Sequence, residues 1–529
     1  MRSRLVLVSI IVFSLALCLR LVKVSEIPPA LSWDEVSIGY NAYSILKTAR
    51  DEHGRFLPQD TFVGYGDYKP PLAVYLTVPS IALFGLTEFA VRLPSVVFGA
   101  GSVILLYFVI WELLRSRAVA LVGSLSLAVS PWHINLSRAG FEANIGLFFV
   151  LLGVLLVLVA RRLPRMWFVA WVPLVAAVYT FNSSRYFAPF IGVGLFVYCG
   201  KEIVKHKRAV LSGICLAILL LLPIVPHLIS KEARLRLVEV NIFSDSAIIE
   251  DSNGAIAQEG NSWSAKILHN RRVGYVQSFL DHYLDHFSPD YLFIKGDGNP
   301  KFSTQDVGQL YVLDLPFLLV GLYIAFFSFR KEALLLLYWL LMAIIPAAVA
   351  RETPHALRTL NSLPVWHVFI GLGLVSVAQK KLVYILIALG YAASVGYYLH
   401  NYYTHYPRTY SSEWQYGYKQ ALEYVRLEGG AYKTVYISEY IGRAYMYTAF
   451  YSQYDPQLFV KIKKSYFDAA GFYHVDGFDK YVFNNIPPEK LEEDTLYIYP
   501  PGLVPIGATV KKTIPLLNGE PVLSIFEKG

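Results

Sequence analysis

Long apolar runs recur along most of this chain and constrain its fold more than any other feature. They are roughly 16 to 23 residues long, and at about 1.5 Å per residue each can cross about 30 Å of hydrocarbon. They continue to about residue 399 and then stop. The chain is 55% hydrophobic and 16% charged, with a mean hydropathy of +0.44, which is too apolar for a soluble protein of this size. The pattern predicts a multi-pass integral membrane protein.

The apolar runs predict about eleven transmembrane helices. We place them at about 5–22, 92–114, 118–134, 143–160, 166–181, 187–200, 209–228, 310–329, 333–350, 359–378 and 382–399. With the N-terminus inside, every second loop is basic, as at Arg115 and Arg117, which marks these loops as cytoplasmic. The net charge of +8 therefore reflects membrane topology, and no nucleic-acid partner is predicted.

The opposite loops are richer in acidic and aromatic residues and are predicted to face outward from the plasma membrane. The two longest are 24–91 and 229–309. The first contains an amphipathic stretch, Val36–Thr48, and an apolar one, Leu72–Phe84. Counting Leu72–Phe84 as a span would move the later basic loops outside. We therefore expect both stretches to be helices at the membrane interface.

The chain changes character after the last apolar run. The predicted domains are an all-α polytopic membrane bundle over 1–400 and a small extracytoplasmic α/β domain over 401–529. In the second domain we expect one helix and several strands. The helix is placed at Glu413–Leu427, and the strands at Thr434–Ser438, Leu496–Tyr499, Thr509–Ile514 and Val522–Phe526.

An acid pair, Asp34 and Glu35, follows the first apolar run where the chain leaves the membrane on the outer side. A carboxylate close to the bilayer can act as a general base or ligate a cation. The alternative is a solvated pair, or a pair that caps the helix after it. A divalent cation therefore remains an open option, and the sequence does not identify its ligands.

A second motif lies later in the same loop, where Asp67 and Tyr68 precede Lys69 and two prolines. The prolines stiffen the backbone, and a fixed ammonium at the interface suits a lipid phosphate. Lys69 could instead extend along the membrane surface from a helix start. Tyr65 and other aromatic residues of the outer loops could stack on a sugar or form an interfacial belt.

Further charged residues fall in other outer turns. Arg138 and Glu142 lie between the third and fourth helices and could pair with one another at i,i+4. Arg185 occupies the next outer turn, while His355 and Arg358 lie in a late outer loop. Arginine binds phosphate oxygens strongly and is costly to keep near hydrocarbon without a partner. The topology thus collects cations and acids at one depth, as a site for a lipid-phosphate leaving group requires.

The motifs together resemble a known family. The acid pair, the Lys69-Pro70-Pro71-Leu72 segment and the segment from Glu88 to Ser95 are similar to GT-C glycosyltransferases of the protein O-mannosyltransferase and lipid A aminoarabinose transferase type. The resemblance is recognisable over about residues 1–200 and looser to about 400. It implies a membrane enzyme whose donor is a sugar on a polyprenyl or dolichyl phosphate.

The resemblance also implies roles for the site residues. Asp34 would take the proton from the acceptor hydroxyl, and Glu35 would position the acceptor or a cation. Lys69 and Arg138 would bind the donor phosphate, joined by Arg185 and Arg358 through their location. Tyr65, Asp67, Glu142 and His355 are the expected substrate-binding residues.

The predicted function is an inverting transfer of a sugar from a polyprenyl-phosphate donor to a protein, lipid or glycan acceptor on the extracytoplasmic side of the membrane. The alternative is a flippase or transporter of a lipid-linked sugar. Transporters usually carry ionisable residues within spans, broken helices and internal repeats. In this sequence the charges collect at one surface and no repeat is visible, which favours the enzyme.

Overall fold

The computed structural model describes residues 2–230, 233, 241–468 and 471–529, with side chains from residue 9 onward. The helices before residue 230 are α1 Arg2–Leu21, α2 Trp33–Thr48, α3 Leu72–Phe84, α4 Glu88–Leu114, α5 Arg117–Ala128, α6 Pro131–Arg138, α7 Glu142–Ala160, α8 Val172–Val178, α9 Asn182–Tyr198, α10 Gly200–Lys205, α11 Lys207–Leu221 and α12 Val225–Leu228. Part of the predicted outer loop 229–309, at 231–232 and 234–240, lies outside the described residues.

The second half of the chain adds shorter helices and most of the strands. The helices after residue 241 are α13 Ser246–Gln258, α14 Trp263–Leu268, α15 Arg271–Asp285, α16 Asp314–Ser328, α17 Arg330–Ala348, α18 Leu363–Val377, α19 Lys381–His400, α20 Tyr406–Thr409, α21 Tyr418–Glu428, α22 Ala444–Tyr451 and α23 Pro456–Ile462. The strands are β1 Phe62–Gly64, β2 Asp67–Lys69, β3 Thr434–Ser438, β4 Lys464–Phe467, β5 Tyr473–Phe478, β6 Tyr481–Asn484, β7 Thr495–Tyr499, β8 Ala508–Pro515 and β9 Pro521–Lys528.

The helical part has the composition of an integral membrane protein. Across the described residues, six helices are long and apolar enough to cross a bilayer, or seven if the bent pair α5 and α6 forms one span. Four further apolar helices are shorter, at Ser9–Leu21, Leu72–Phe84, Pro164–Val178 and Asp314–Ser328. The predicted helical membrane bundle is confirmed. The predicted count of eleven spans is not, because several apolar runs end early or bend.

The chain forms two compact units, and each is assembled from three separate stretches of the sequence. The first comprises Met1–Ala16, Gly101–Asn135 and Gly146–Gly396, and the second comprises Leu17–Ala100, Leu136–Ile145 and Tyr397–Gly529. We call them the helical unit and the mixed unit. Most of the apolar helices belong to the helical unit. The mixed unit joins the first outer loop to the C-terminal segment.

Glycines bring helices of the helical unit into close contact. A Cβ at Gly321 of α16 would lie 1.8 Å from the carbonyl oxygen of Phe369 on α18. A Cβ at Gly373 of α18 would lie 1.9 Å from the carbonyl oxygen of Phe317 on α16. Neither position can hold a larger residue without separating the helices. Close backbone approach of this kind stabilises helix pairs in membranes.

The mixed unit contains a seven-stranded sheet with the order β4-β5-β6-β3-β7-β9-β8. Strand β3 runs parallel to both of its neighbours, β6 and β7, whereas the outer pairs are antiparallel. The predicted C-terminal sheet domain is therefore confirmed.

Helix α2 shares a hydrophobic core with the C-terminal helices of the mixed unit. A Cβ at Gly39 of α2 would meet the ring of Phe450 on α22 at 2.7 Å, so only a hydrogen fits there. The hydroxyl of Tyr447 on α22 donates to the carbonyl oxygen of Leu31 at 2.8 Å. The helix that carries the acid pair is thus held by residues more than 400 positions later in the chain.

Candidate active site

The acid pair lies in the first turn of α2, where a capping box fixes it. The Ser32 hydroxyl accepts from the Glu35 backbone N–H, and the Glu35 carboxylate accepts from the Ser32 N–H at 2.9 Å. Reciprocal bonds of this type satisfy backbone donors that a helix start leaves open. The two acids then point to different surroundings: Glu35 is buried, whereas the Asp34 side chain is 35% exposed.

Glu35 is fully engaged inside the protein. One carboxylate oxygen accepts from Arg92 Nε and from the Gly140 N–H, both at 2.8 Å. The other accepts from Ser32 and from Arg92 Nη2 at 3.4 Å. A carboxylate with both oxygens bound and no solvent contact positions its neighbours. This geometry favours a positioning role for Glu35 over proton transfer.

Arg92 extends this buried network. Its terminal nitrogens donate to three backbone carbonyls just before α2, those of Val24, Pro28 and Ala30, at 2.5 to 2.8 Å. Arg92 belongs to the Glu88–Ser95 motif, from which no role for it was predicted. A basic residue near the start of an apolar helix was the available signal. Arg92 and Glu35 together fix the segment that places Asp34.

Lys69 reaches the site from a short hairpin. Strands β1 and β2 pair with Phe62 opposite Lys69, and the turn between them is Tyr65-Gly66, both with positive φ. Lys69 is 7% exposed, and its ammonium lies 2.8 Å from Asp34 Oδ1 and 3.4 Å from Glu142 Oε1. The hairpin thus places one cation between two carboxylates from separate helices.

The electrostatics keep Lys69 charged. Burial alone would lower the pKa of its ammonium, but the carboxylates of Asp34, Glu142 and Asp67 outweigh burial and hold that pKa above its ordinary value. An ammonium has three N–H donors, and two of them point at Asp34 and Glu142. Among the described residues, Lys69 has no further hydrogen-bond acceptor, so the third donor can serve a substrate.

Tyr65, one of the predicted substrate-binding residues, lies beside the acid pair. Its hydroxyl donates to the Trp33 carbonyl oxygen at 3.0 Å, and its ring is 4% exposed. Glu142 begins α7 and faces Lys69, and Asp67 lies two residues before Lys69 on β2. The structure therefore brings Asp34, Tyr65, Asp67, Lys69 and Glu142 together in the mixed unit.

Arg138 lies in the same unit, but its guanidinium bonds to backbone carbonyls and a tyrosine and not to the acids of the site. Its five N–H donors are all used: four go to the carbonyl oxygens of Leu19, Arg20, Val22 and Ile27, and the fifth goes to the Tyr402 hydroxyl. Arg138 therefore satisfies the open carbonyls at the end of α1. It does not pair with Glu142 as i,i+4 spacing suggested, and it has no donor left for the expected phosphate.

The remaining expected residues belong to the helical unit. Arg185 lies in the first turn of α9. The His355 backbone N–H donates to His286 Nε2 at 3.0 Å, its Nδ1 accepts from the Arg358 N–H, and its ring stacks on Phe302. His286 Nδ1 also contacts the His282 carbonyl, so both of its ring nitrogens are occupied. Within the described residues, no group of three or more His, Cys, Asp or Glu is arranged to hold a metal.

Comparisons with known proteins agree with this architecture. Residues 68–229 match the family described as dolichyl-phosphate-mannose-protein mannosyltransferase. The crystal structures of ArnT from Cupriavidus metallidurans, in the apo state and bound to undecaprenyl phosphate, have TM-scores of 0.55 and 0.54 and identities of 11% and 13%. Each alignment covers 98% of this chain and 97% of ArnT. The chain has the GT-C fold.

The solved structure of another protein supports this fold assignment. The Archaeoglobus fulgidus oligosaccharyltransferase, in complex with Zn and sulfate, has a TM-score of 0.51 and 14% identity. The alignment covers 84% of this chain and 61% of the archaeal protein. No curated protein sequence shows significant similarity to the chain. The predicted resemblance to GT-C membrane glycosyltransferases is confirmed.

Proposed function

We propose that this protein is a glycosyltransferase that moves a sugar from a polyprenyl-phosphate donor to an acceptor hydroxyl. The observation that carries the proposal is the pairing of a partly exposed carboxylate, Asp34, with a buried cation, Lys69, in a GT-C fold. ArnT from Cupriavidus metallidurans binds undecaprenyl phosphate in its crystal structure, and we propose the same class of lipid for this chain.

In the proposed reaction, Asp34 accepts the proton of the acceptor hydroxyl as the oxygen attacks the anomeric carbon of the donor sugar. The bond from that carbon to the phosphate oxygen breaks, and the phosphate leaves with the electron pair as polyprenyl phosphate. The Lys69 ammonium stabilises the charge that develops on the leaving oxygen. Attack from the face opposite the phosphate gives inversion.

Glu142 has a supporting role in this scheme. It shares the Lys69 ammonium with Asp34, so it orients the cation between acid and phosphate. Glu35 and Arg92 hold the start of α2 and act through Asp34. The proposed reaction assigns no role to four of the expected residues, Arg138, Arg185, His355 and Arg358.

The basic loops support an extracytoplasmic site in the plasma membrane. Because Lys and Arg cluster in alternate loops, the first outer loop and the C-terminal segment fall on the opposite, outer side. The acceptor is a hydroxyl of a protein, lipid or glycan on that side.

The test is turnover by Asp34→Asn in purified, reconstituted protein supplied with undecaprenyl-phosphate sugars and a cell-envelope extract. Loss of a general base typically costs about 10²- to 10⁴-fold, so we expect the rate of polyprenyl phosphate release to fall about a thousandfold. Asp251→Asn, on the exposed face of α13, is the matched control and should keep the wild-type rate. Near-wild-type release by the Asp34 variant would remove Asp34 from its role. Net translocation of the donor without a new glycosidic bond would favour a flippase instead.

A further inference from the structure

The loop after β3 brings the C-terminal segment to the acid pair. Strand β3 lies inside the sheet, parallel to both neighbours, and ligands of such sheets gather beyond the carboxyl ends of the strands. The loop runs from Glu439 to Arg443, which precedes α22. Gly442 and Arg443 both have positive φ, at 97° and 60°. A positive φ is costly for arginine, and strain of this kind collects at functional sites.

Arg443 lies on the ring of the tyrosine that supports the acid pair. Its guanidinium carbon is 5.0 Å from the centre of the Tyr65 ring and 5.9 Å from that of Phe472. The Tyr65 hydroxyl bonds to the backbone of Trp33, the residue before Asp34. A cation from the C-terminal segment thus contacts the tyrosine that is hydrogen-bonded to the residue before Asp34.

This cation forms no ion pair within the described part of the protein. No described carboxylate forms an ion pair with Arg443, and no hydrogen bond to its guanidinium is present in the described residues. Glu439 is the acid in the same loop, and it stays outside ion-pair range. Burial raises the pKa of the Glu439 carboxyl, whereas the charges of His474 and Arg443 lower it. An arginine held in a strained backbone without an ion pair is available to a ligand oxyanion.

Two exposed aromatic rings lie in, or pack against, the loop that carries this cation. The Trp33 side chain is 37% exposed, and a Cβ at Gly442 would lie 3.6 Å from its ring, so the loop backbone packs against the indole. Tyr440, in the same loop, is 73% exposed. Aromatic faces are the surfaces on which sugar rings stack.

We propose that Trp33, Tyr440 and Arg443 form an acceptor subsite for a sugar that carries a phosphate or carboxylate group. This inference rests on the proposed function and names the substrate class of the same site. The rings take the sugar face, and the guanidinium takes the oxyanion in a bidentate bond. Trp33 directly precedes Asp34 in the chain, so the subsite adjoins the acid proposed to accept the proton.

The test is binding of small sugars to the full chain in lipid nanodiscs, measured by saturation-transfer NMR. The probes are glucose 6-phosphate, glucuronate, neutral glucose and inorganic phosphate. We expect wild-type protein to bind the two anionic sugars about tenfold tighter than glucose, because a charge-assisted bond adds on this order. Inorganic phosphate lacks the ring face and should bind more weakly than glucose 6-phosphate. Equal affinity for glucose and glucose 6-phosphate would overturn the proposal.

The variant Arg443→Asn removes the charge but suits the left-handed backbone. It should lose the roughly tenfold preference for anionic sugars while its unfolding temperature stays the same or rises. Arg443→Lys should retain part of the preference, and Arg408→Asn, at an exposed arginine of the same unit, should retain all of it. A merely structural arginine would instead lower the unfolding temperature and leave the preference unchanged, and that result would sink the subsite.

Binding of undecaprenyl phosphate tests whether Arg443 binds the anionic group of the acceptor or the phosphate of the donor. Arg443→Asn should leave the affinity for this lipid unchanged, and a clear loss would reassign Arg443 to the donor phosphate and overturn the acceptor subsite. These measurements need no turnover. A failure of Asp34→Asn to abolish transfer is therefore distinguishable from a failure of sugar binding at Arg443.

Discussion

Two clusters in the mixed unit each combine a lysine with acidic residues, but they differ in how far their carboxylates are exposed to solvent. In the open cluster, Lys69 pairs with Asp34 and Glu142, and the Asp34 side chain is about one-third exposed. In the closed cluster, the Lys463 ammonium donates to the backbone carbonyl of Glu52 at 2.6 Å, beside His53. Glu52 is fully buried and accepts from the Asn41 side chain. Access to substrate, and not the presence of acids and lysines, separates the candidate active centre from a structural cluster.

The strongest test of this difference is to replace Lys69 and Lys463, one at a time, by an uncharged residue. Lys69→Met should lower transfer at least a hundredfold, because it removes the phosphate cation and leaves two facing carboxylates. Lys463→Met should keep transfer within about threefold and cost about 1–2 kcal/mol of stability through its lost hydrogen bond. Rates of polyprenyl phosphate release and unfolding midpoints measure the two effects. Equal losses of transfer would mean that both clusters serve the reaction.

A smaller effect, on stability, is expected from substituting a glycine beside each cluster. A Cβ at Gly66, in the hairpin that carries Lys69, would lie 2.6 Å from the Gly471 carbonyl oxygen and 2.8 Å from the Phe472 Cα. Both are backbone atoms, and φ is +93°, so Gly66→Ala should cost about 3 kcal/mol.

Gly54, beside the closed cluster, is the matched control for Gly66. Its Cβ would meet only the Val460 side chain at 3.2 Å, with φ at +85°. Gly54→Ala should therefore cost about 1 kcal/mol. Denaturant unfolding in detergent measures the difference, and similar losses at the two glycines would refute tight docking of the hairpin.

A further effect is expected on the pH dependence of stability in the closed cluster. Burial raises the pKa of Glu52 to about 7, so its contribution to folding is present below its ordinary pKa and is lost as pH rises through about 7. Burial lowers the pKa of His53 to about 4, so its contribution is present above its ordinary pKa and is lost as pH falls through about 4. Between about pH 4.5 and 6.5 the two slopes oppose each other.

Glu52→Gln isolates the histidine. The free energy of unfolding of this variant should rise by about 2 kcal/mol from about pH 4.5 to 6.5, while that of the wild type changes less. Asp251→Asn supplies the control, with the wild-type slope. Parallel curves for the wild type and Glu52→Gln would show that Glu52 does not titrate in this window.

Helices and strands with a clear local pattern of apolar residues could be predicted from the sequence. The strand Thr434–Ser438 has the predicted bounds, and the helix placed at Glu413–Leu427 is found at Tyr418–Glu428. The strands β5 and β6 were not predicted, since segments such as Tyr473–Phe478 mix aromatic, charged and glycine residues without clear alternation.

Site residues were harder to predict because their partners are distant in the chain. The acid pair and Lys69 could be chosen from local motifs. The five bonds of Arg138 reach backbone carbonyls 111 to 119 residues earlier and a tyrosine 264 residues later, and no spacing rule reports them. Arg443 gave no signal either, since a single arginine after a glycine is common in loops.

The interleaved mixed unit also has a consequence for biosynthesis. Ribosomes deliver the acid pair early, yet Tyr447, which bonds to Leu31, emerges 416 residues later. Helix α2 therefore stays without its C-terminal packing partners until Tyr447 and its neighbours have been synthesised. Until then the candidate active site cannot take the geometry seen in the folded protein.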